Sequence, residues 1–290
     1  MKLAVIGPIC KDTIITKDST HELMGAPVYY TGMALLALDM DCKNLAAMAA
    51  EDVQAAKNAF KGNILPLVKN NSCIHKLKYT NYNERIYYSL DDGDTITYKD
   101  IKEEIRDRTH IILGPLYYHN TPLELFQALK GKKLIMDNFG MFTYKKEDKA
   151  VRKEFAKARE AYKHLDMLFL DETEICTVME ESNRDIAARK ALALGIRIVV
   201  VTKGSEGSKI YTKEKEYVIP AFPAKEILDT TGAGDSYMAG FIKATTLFTD
   251  LQQCGEFAAM VSTMCIERKG PFAGSTHEVT NRLPWEEKTL

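Results

Sequence analysis

Four short runs rich in aliphatic and β-branched residues, at 110–113, 133–136, 167–170 and 197–201, constrain this chain more than any other feature. Helix-like segments at 122–130, about 147–163 and 185–194 separate them. Strands alternating with helices predict a parallel sheet covered on both faces. The chain opens in the same way. A strand at 2–6 stops at Gly7-Pro8, a helix runs from Pro27 to about 39, and a strand at 44–50 precedes a helix begun at Glu51-Asp52. No repeat, low-complexity tract or linker interrupts the pattern, so one domain over residues 1–290 is expected.

Composition narrows the function classes. The 290 residues are 46% hydrophobic and 27% charged with a net charge of −1, which argues against a general nucleic-acid or membrane-surface binder. Six cysteines without a Cys-x-x-Cys pair predict free thiols in a reducing cytosol. No apolar run reaches membrane-spanning length. The short one at 3–6 is followed by Lys11-Asp12 and reads as a buried strand rather than a signal peptide, so a cytoplasmic location is expected. Between 74 and 98, alternating aromatic and β-branched residues flank Asp91-Asp92-Gly93-Asp94, which predicts a hairpin with a solvated turn there. The turn lacks the spacing and terminal Glu of a calcium loop, and Arg85 is read as an exposed strand residue. The mixed-charge segment after 147 permits an Asp148–Arg152 pair four residues apart on a solvated helix face.

Residues 229–241 read Asp-Thr-Thr-Gly-Ala-Gly-Asp-Ser-Tyr-Met-Ala-Gly-Phe. Gly232 and Gly234 flank Ala233, so the backbone can turn sharply and approach a ligand closely. An apolar helix follows, from Ala233 to about 248. Its first N–H groups lack intrahelical acceptors and its dipole end is positive, which suits a phosphate. Asp235 lies in that first turn. Taken alone, Gly-x-Gly-Asp is equally a glycine-rich helix entry with an acid favourable to the dipole. All thirteen residues together closely resemble the C-terminal signature of the ribokinase (PfkB) family of sugar and nucleoside kinases.

That resemblance implies a ribokinase-like three-layer α/β/α sandwich, with a mostly parallel central sheet and a small β lid from about 12–24 and 76–98. It implies ATP-dependent phosphoryl transfer to an alcohol, with Asp235 as catalytic base and Gly232, Ala233 and Gly234 as the anion hole. Gly7 to Asp12 matches the family's Gly-x-x-x-x-Asp element, whose acid binds substrate hydroxyls; by position alone Asp12 is also a turn-capping acid. Gly25-Ala26 stands where the family has Gly-Gly, and Tyr30 where it has a substrate-contacting Asn. Tyr29 and Tyr30 are therefore either core or pocket wall, and pentose recognition is not implied. Thr202 and Gly204, with Thr231, fall at the nucleotide-phosphate positions. Glu174 matches the Glu that organises Mg²⁺, with Asp171 in place of the usual Asn, although an acidic first helical turn explains both locally.

Gly114-Pro115-Leu116 and Asp137-Asn138-Phe139-Gly140 resemble branches that include inositol-type kinases, a lean towards a cyclic polyol or sugar acid. A nucleoside kinase and a non-catalytic nucleotide- or sugar-binding protein are the alternatives. The expected partners are a small alcohol and ATP, without nucleic acid or membrane. A short segment between Asp12 and Gly25 leaves monomer and homodimer both open, and a monovalent cation requirement is also open. The region after the signature helix is expected to border the adenine. No histidine shows metal-ligand spacing in sequence.

Overall fold

The structure is a computed structural model that describes residues 1–285 except 16, 18, 80–84 and 138–139. In chain order the elements begin with β1 (Lys2–Pro8), β2 (Cys10–Ile15), β3 (Thr20–Gly25), α1 (Pro27–Ala37), β4 (Asp41–Ala49), α2 (Val53–Ala59) and β5 (Leu65–Lys69). Next come β6 (Cys73–Tyr79), β7 (Arg85–Asp92), α3 (Tyr98–Ile101), β8 (His110–Leu113), α4 (Leu123–Ala128), β9 (Lys133–Asp137), β10 (Thr143–Lys146) and β11 (Lys149–Arg152). The remainder comprises α5 (Phe155–Tyr162), β12 (Met167–Asp171), α6 (Glu172–Val178), α7 (Arg184–Ala193), β13 (Ile198–Thr202), β14 (Ser208–Tyr211), β15 (Glu216–Ile219), α8 (Ala233–Ala244), α9 (Leu251–Ile266) and α10 (Thr276–Arg282).

Nine strands form the main sheet in the order β15-β14-β13-β12-β9-β8-β1-β4-β5. All neighbours are parallel except β13–β14 and β14–β15, which are antiparallel. Alternation along β1 divides the interior: Leu3 and Val5 face one core with residues of α1, α8, α9 and α10, while Ala4 and Ile6 face the other with residues of α3 to α7. Both sheet faces are therefore covered, and three layers result. Among the described residues no helix is long and apolar enough to cross a membrane.

A second sheet, in the order β3-β2-β6-β7, stands beside the first. Only Ile9 separates β1 from β2, so the opening strand passes almost directly from one sheet into the other. Ile9 accepts from the Cys73 N–H at 3.1 Å and donates to the Ala47 carbonyl at 2.9 Å, which joins the two sheets.

Two sequence expectations are corrected. Asp91-Asp92-Gly93-Asp94 is not the hairpin turn: Asp91 and Asp92 end β7, Tyr98 begins α3, and the β6–β7 connection lies outside the described residues. These acids serve the backbone instead, with Asp94 Oδ2 accepting from the N–H groups of Asn70 (2.7 Å) and Asn71 (2.8 Å). The segment after 147 is not one long helix. Its first part forms the hairpin β10–β11 around Glu147 (φ +56°), and only 155–162 is helical. Tertiary pairing overrides the local charge pattern, because the lid strand's Ser89 N–H donates to the Asp148 carbonyl at 2.8 Å. The side chain of Arg85 falls outside what is described.

Candidate active site

The parallel strands end along one rim at Pro8, Leu113, Asp137, Asp171 and Thr202, and Asp171 pairs in register with Thr202. Parallel sheets bind ligands at this edge. The helix α8 meets the same edge. Gly232 precedes it in the left-handed region at φ +76°, and a Cβ there would overlap the Tyr30 ring. Glycine is thus required twice at this position, by conformation and by contact. A Cβ on Gly234 would meet no atom within 4 Å, so its smallness leaves the backbone accessible rather than serving protein packing. The Ala233 N–H turns back to the Thr230 carbonyl at 3.3 Å, whereas those of Gly232, Gly234 and Asp235 have no acceptor among the described residues. Of the three expected anion-hole donors, Ala233 is therefore the one already engaged.

Asp235 is half-buried, and Oδ1 accepts from the Thr31 hydroxyl at 3.4 Å. Burial first and the Asp137 carboxylate second push its pKa well above the usual carboxylate range, against that hydroxyl. Thr31 is fully buried in α1 and had no sequence signal, since a lone Thr after two tyrosines resembles any core position. Asp137 was legible as a strand end and as the first residue of the Asp137–Gly140 motif, not as a neighbour of Asp235.

Glu174 is 6% exposed. With Asp171 it forms a capping box on α6: the Glu174 N–H donates to Asp171 Oδ1 at 2.7 Å, and the Asp171 N–H donates to Glu174 Oε2 at 3.1 Å. Burial, then Asp137 and Asp171, raise its pKa to about 8, while Arg152 counteracts from 4.0 Å. Arg152 is free for this contact because the expected pairing with Asp148 has no helix to form on. Buried acids that repel one another suit a divalent cation carrying most of its own waters. Glu174 and Asp137 would hold it, and it would neutralise charge on a phosphate group.

Asp12 lies within β2 rather than in a loop past β1. Oδ1 accepts from the Cys10 thiol at 3.1 Å and lies 3.3 Å from His75 Nδ1, while Oδ2 sits against Gly25, where a Cβ would collide with it. Cys10, Asp12 and His75 form the one group of potential metal ligands close enough to hold an ion directly among the described residues. Sequence spacing could not reveal it, because β2 and β6 contribute from 65 residues apart. Ala26, the N-cap of α1, adopts φ +95° and ψ 156°, a region almost reserved for glycine.

Tyr30 is buried, and its phenol is pushed upward by burial, then Asp229, Asp235 and Asp12. It is in contact with Gly232, and both expected acids, Asp235 and Asp12, act on it electrostatically. Thr202 ends β13, and Gly204 follows at φ +50° with open space where a Cβ would be. Thr231 is exposed, its N–H held by Asp229 Oδ1 at 2.9 Å. Lys203 between them is tied to Glu172 (3.2 Å) and Glu206 (3.3 Å). A groove of about 650 Å³ beside Arg189, Thr212 and Glu216 lies at the opposite end of the strands, since Tyr211 pairs with Val199 near the start of β13.

Residues 140–277 match the model of the pfkB family carbohydrate kinase. The chain is 49% identical over 72 residues to a nucleoside kinase of Methanocaldococcus jannaschii, which covers 25% of this chain and 24% of that protein. It is 27% identical over 187 residues to an uncharacterized sugar kinase of Archaeoglobus fulgidus, covering 64% and 73%. A cytidine kinase of Thermococcus kodakarensis is 33% identical over 157 residues, covering 53% and 54%. The chain thus spans from a quarter to about three quarters of the length of these relatives. Among solved structures, a pyrophosphate-dependent kinase in the ribokinase family complexed with a pyrophosphate analog and myo-inositol superposes with a TM-score of 0.83 at 18% identity, covering 97% of this chain and 100% of the other. Arabidopsis thaliana ribokinase complexed with ribose and ATP superposes with a TM-score of 0.79 at 19% identity, covering 98% and 99%.

Proposed function

We propose that this chain, which belongs to the PfkB/ribokinase family, transfers the γ-phosphoryl group of ATP to a hydroxyl of a neutral polyol or sugar. Tyr30 carries the reading: one buried ring touches the Gly232 turn and feels the charges of both Asp12 and Asp235. An acceptor against Asp12 would therefore present a hydroxyl to Asp235 and to the start of α8.

In that arrangement the acceptor oxygen attacks the γ-phosphorus, the bond to the β-phosphate oxygen breaks, and ADP departs. Asp235 orients the hydroxyl and takes its proton. Its raised pKa makes it a better base than an ordinary carboxylate, and a loose transition state lets proton transfer come late. The open N–H groups of Gly232 and Gly234 and the dipole of α8 would stabilise the transferring phosphoryl group. Thr202, Gly204 and Thr231 would border the donor phosphates, and Mg²⁺ held through Glu174 would offset charge that builds up there.

Ile227 (66% exposed) and Leu228 (48%) offer apolar surface next to Asp229, which favours a nucleotide donor over bare pyrophosphate. Asp229 and Asp12 bring negative charge to bear on Tyr30, so a sugar acid beside it is suited less than a neutral polyol. The 49% identity to a nucleoside kinase favours a second reading, a nucleoside as the acceptor. Six free thiols suit the cytoplasm. Exposed Leu23, Ile86 and Leu90 on the lid sheet favour the homodimer over the monomer.

The deciding assay pairs ATP and pyrophosphate with a panel of inositols, sugars and nucleosides. Turnover of a neutral polyol or sugar with ATP is expected, and Asp235→Asn should lower kcat by about 10³-fold or more while donor affinity persists. Binding across the panel without turnover, or full activity in folded Asp235→Asn, would overturn the kinase reading.

A further inference from the structure

Resting on the acceptor-binding role of Asp12, we propose that His75 is the positioning residue for that carboxylate, with Tyr117 holding the ring in the tautomer that donates to it. His75 is 4% exposed on the lid strand β6, in register with Asp12 across the parallel β2–β6 pair. The β6–β7 register shifts between Ile74 and His75. Such bulges re-aim a side chain and gather beside functional sites.

The ring's polar neighbours come from three segments: β2, β7 and the stretch after β8. Asp12 Oδ1 lies 3.3 Å and Cys10 Sγ 3.1 Å from Nδ1. Tyr117 Oη lies 2.8 Å from Nε2, and Tyr87 Oη is 2.9 Å from both nitrogens. Ser89 Oγ is 2.5 Å from Tyr117 Oη. These contacts orient the hydrogens. A carboxylate only accepts, so a neutral ring that serves Asp12 carries its one proton on the nitrogen facing it and accepts at Nε2. Tyr117 then donates its hydroxyl to Nε2 and accepts that of Ser89. The chain Ser89→Tyr117→His75→Asp12 runs in one direction, and such buried networks rigidify what they touch.

The consequence is specific to one oxygen. The Cys10 thiol donates to Oδ1 and His75 Nδ1 lies 3.3 Å from the same oxygen, so Oδ2, lying against Gly25, is the oxygen left for an acceptor hydroxyl. Tyr117 follows β8 of the main sheet, whereas His75 and Asp12 are on the lid sheet, so the network also sets where the lid's acid stands relative to the rim.

Two measurements test this. In steady-state kinetics His75→Ala should raise the acceptor KM about tenfold or more, with kcat and the donor KM within about twofold. His75→Asn, whose amide N–H can take the place of Nδ1–H, should recover most of the loss, and Tyr117→Phe should show a smaller rise. An unchanged acceptor KM in His75→Ala, or equal rises for donor and acceptor, would overturn the proposal. The second measurement needs no substrate. Long-range ¹H–¹⁵N spectra of ¹⁵N-histidine protein should show a neutral ring protonated on Nδ1, identified by the signal that His75→Asn loses. A proton on Nε2, which a metal ion on Nδ1 would also impose, would overturn it. If no acceptor turns over, the kinase reading fails while the tautomer still decides this inference.

Discussion

Glu174 and Asp235 share a neighbour in Asp137, and burial leaves each acid poorly solvated for its charge. The sign of the resulting pH dependence follows from proton binding. A carboxyl whose pKa is higher folded than unfolded holds more protons in the folded state, so its stabilising effect is present at low pH and lost as pH rises. For Glu174 the window runs from its unfolded value, roughly 4.3, to the folded value of about 8. In buffer free of divalent ions Tm should therefore fall across that window. Glu174→Gln, which keeps a capping oxygen, should flatten the fall, and Mg²⁺ should restore Tm at the alkaline end. Thermal scans of both proteins at several pH values, with and without Mg²⁺, check this; equal slopes would remove Glu174 from the account.

The helix starts set the site's geometry at the next scale. Ala26 begins α1 in a glycine-type conformation that costs a residue with a Cβ about 1–3 kcal/mol. Replacing it by glycine removes that strain but adds about 0.4–1 kcal/mol of unfolded-chain entropy. Ala26→Gly should therefore be stabilising by about 1 kcal/mol in urea unfolding, and any loss would contradict the strain. Gly232 at the start of α8 behaves oppositely. Gly232→Ala meets a left-handed backbone, worth about 1–2 kcal/mol, and overlap with Tyr30. It should lower stability by more than the backbone term alone. In Gly232→Ala/Tyr30→Ala the overlap part should vanish while the backbone part persists, as a double-mutant cycle would show.

At the scale of the whole molecule, two sheets meet where β1 becomes β2, and the candidate site residues are divided between them. Asp12, Gly25 and His75 come from the lid; Tyr30, Thr31, Asp137 and Asp235 come from the main body. Acceptor binding should therefore slow amide exchange in β2, β3, β6 and β7 more than in the already protected β9 and β12, as hydrogen-exchange mass spectrometry would report. Protection confined to the main sheet would mean the second sheet does not close over the acceptor.

By itself the sequence determined the parallel α/β architecture and the start of α8, because period-2 burial, helix signals and the Gly-Ala-Gly-Asp turn are encoded in neighbouring residues. It also singled out Asp12, Glu174 and Tyr30, although Asp12 stands within β2 of the second sheet rather than in a loop past β1. It misassigned 147–154 and the turn at 91–94, where the decisive hydrogen bonds run to distant strands: Ser89 to Asp148, and Asn70 and Asn71 to Asp94. Thr31, His75 and Tyr117 acquire meaning only through neighbours far along the chain, as does the effect of Asp137 on Glu174 and Asp235. A side chain's proton partners and solvation depend on three-dimensional proximity, which local pattern does not contain; only the tertiary structure decided those.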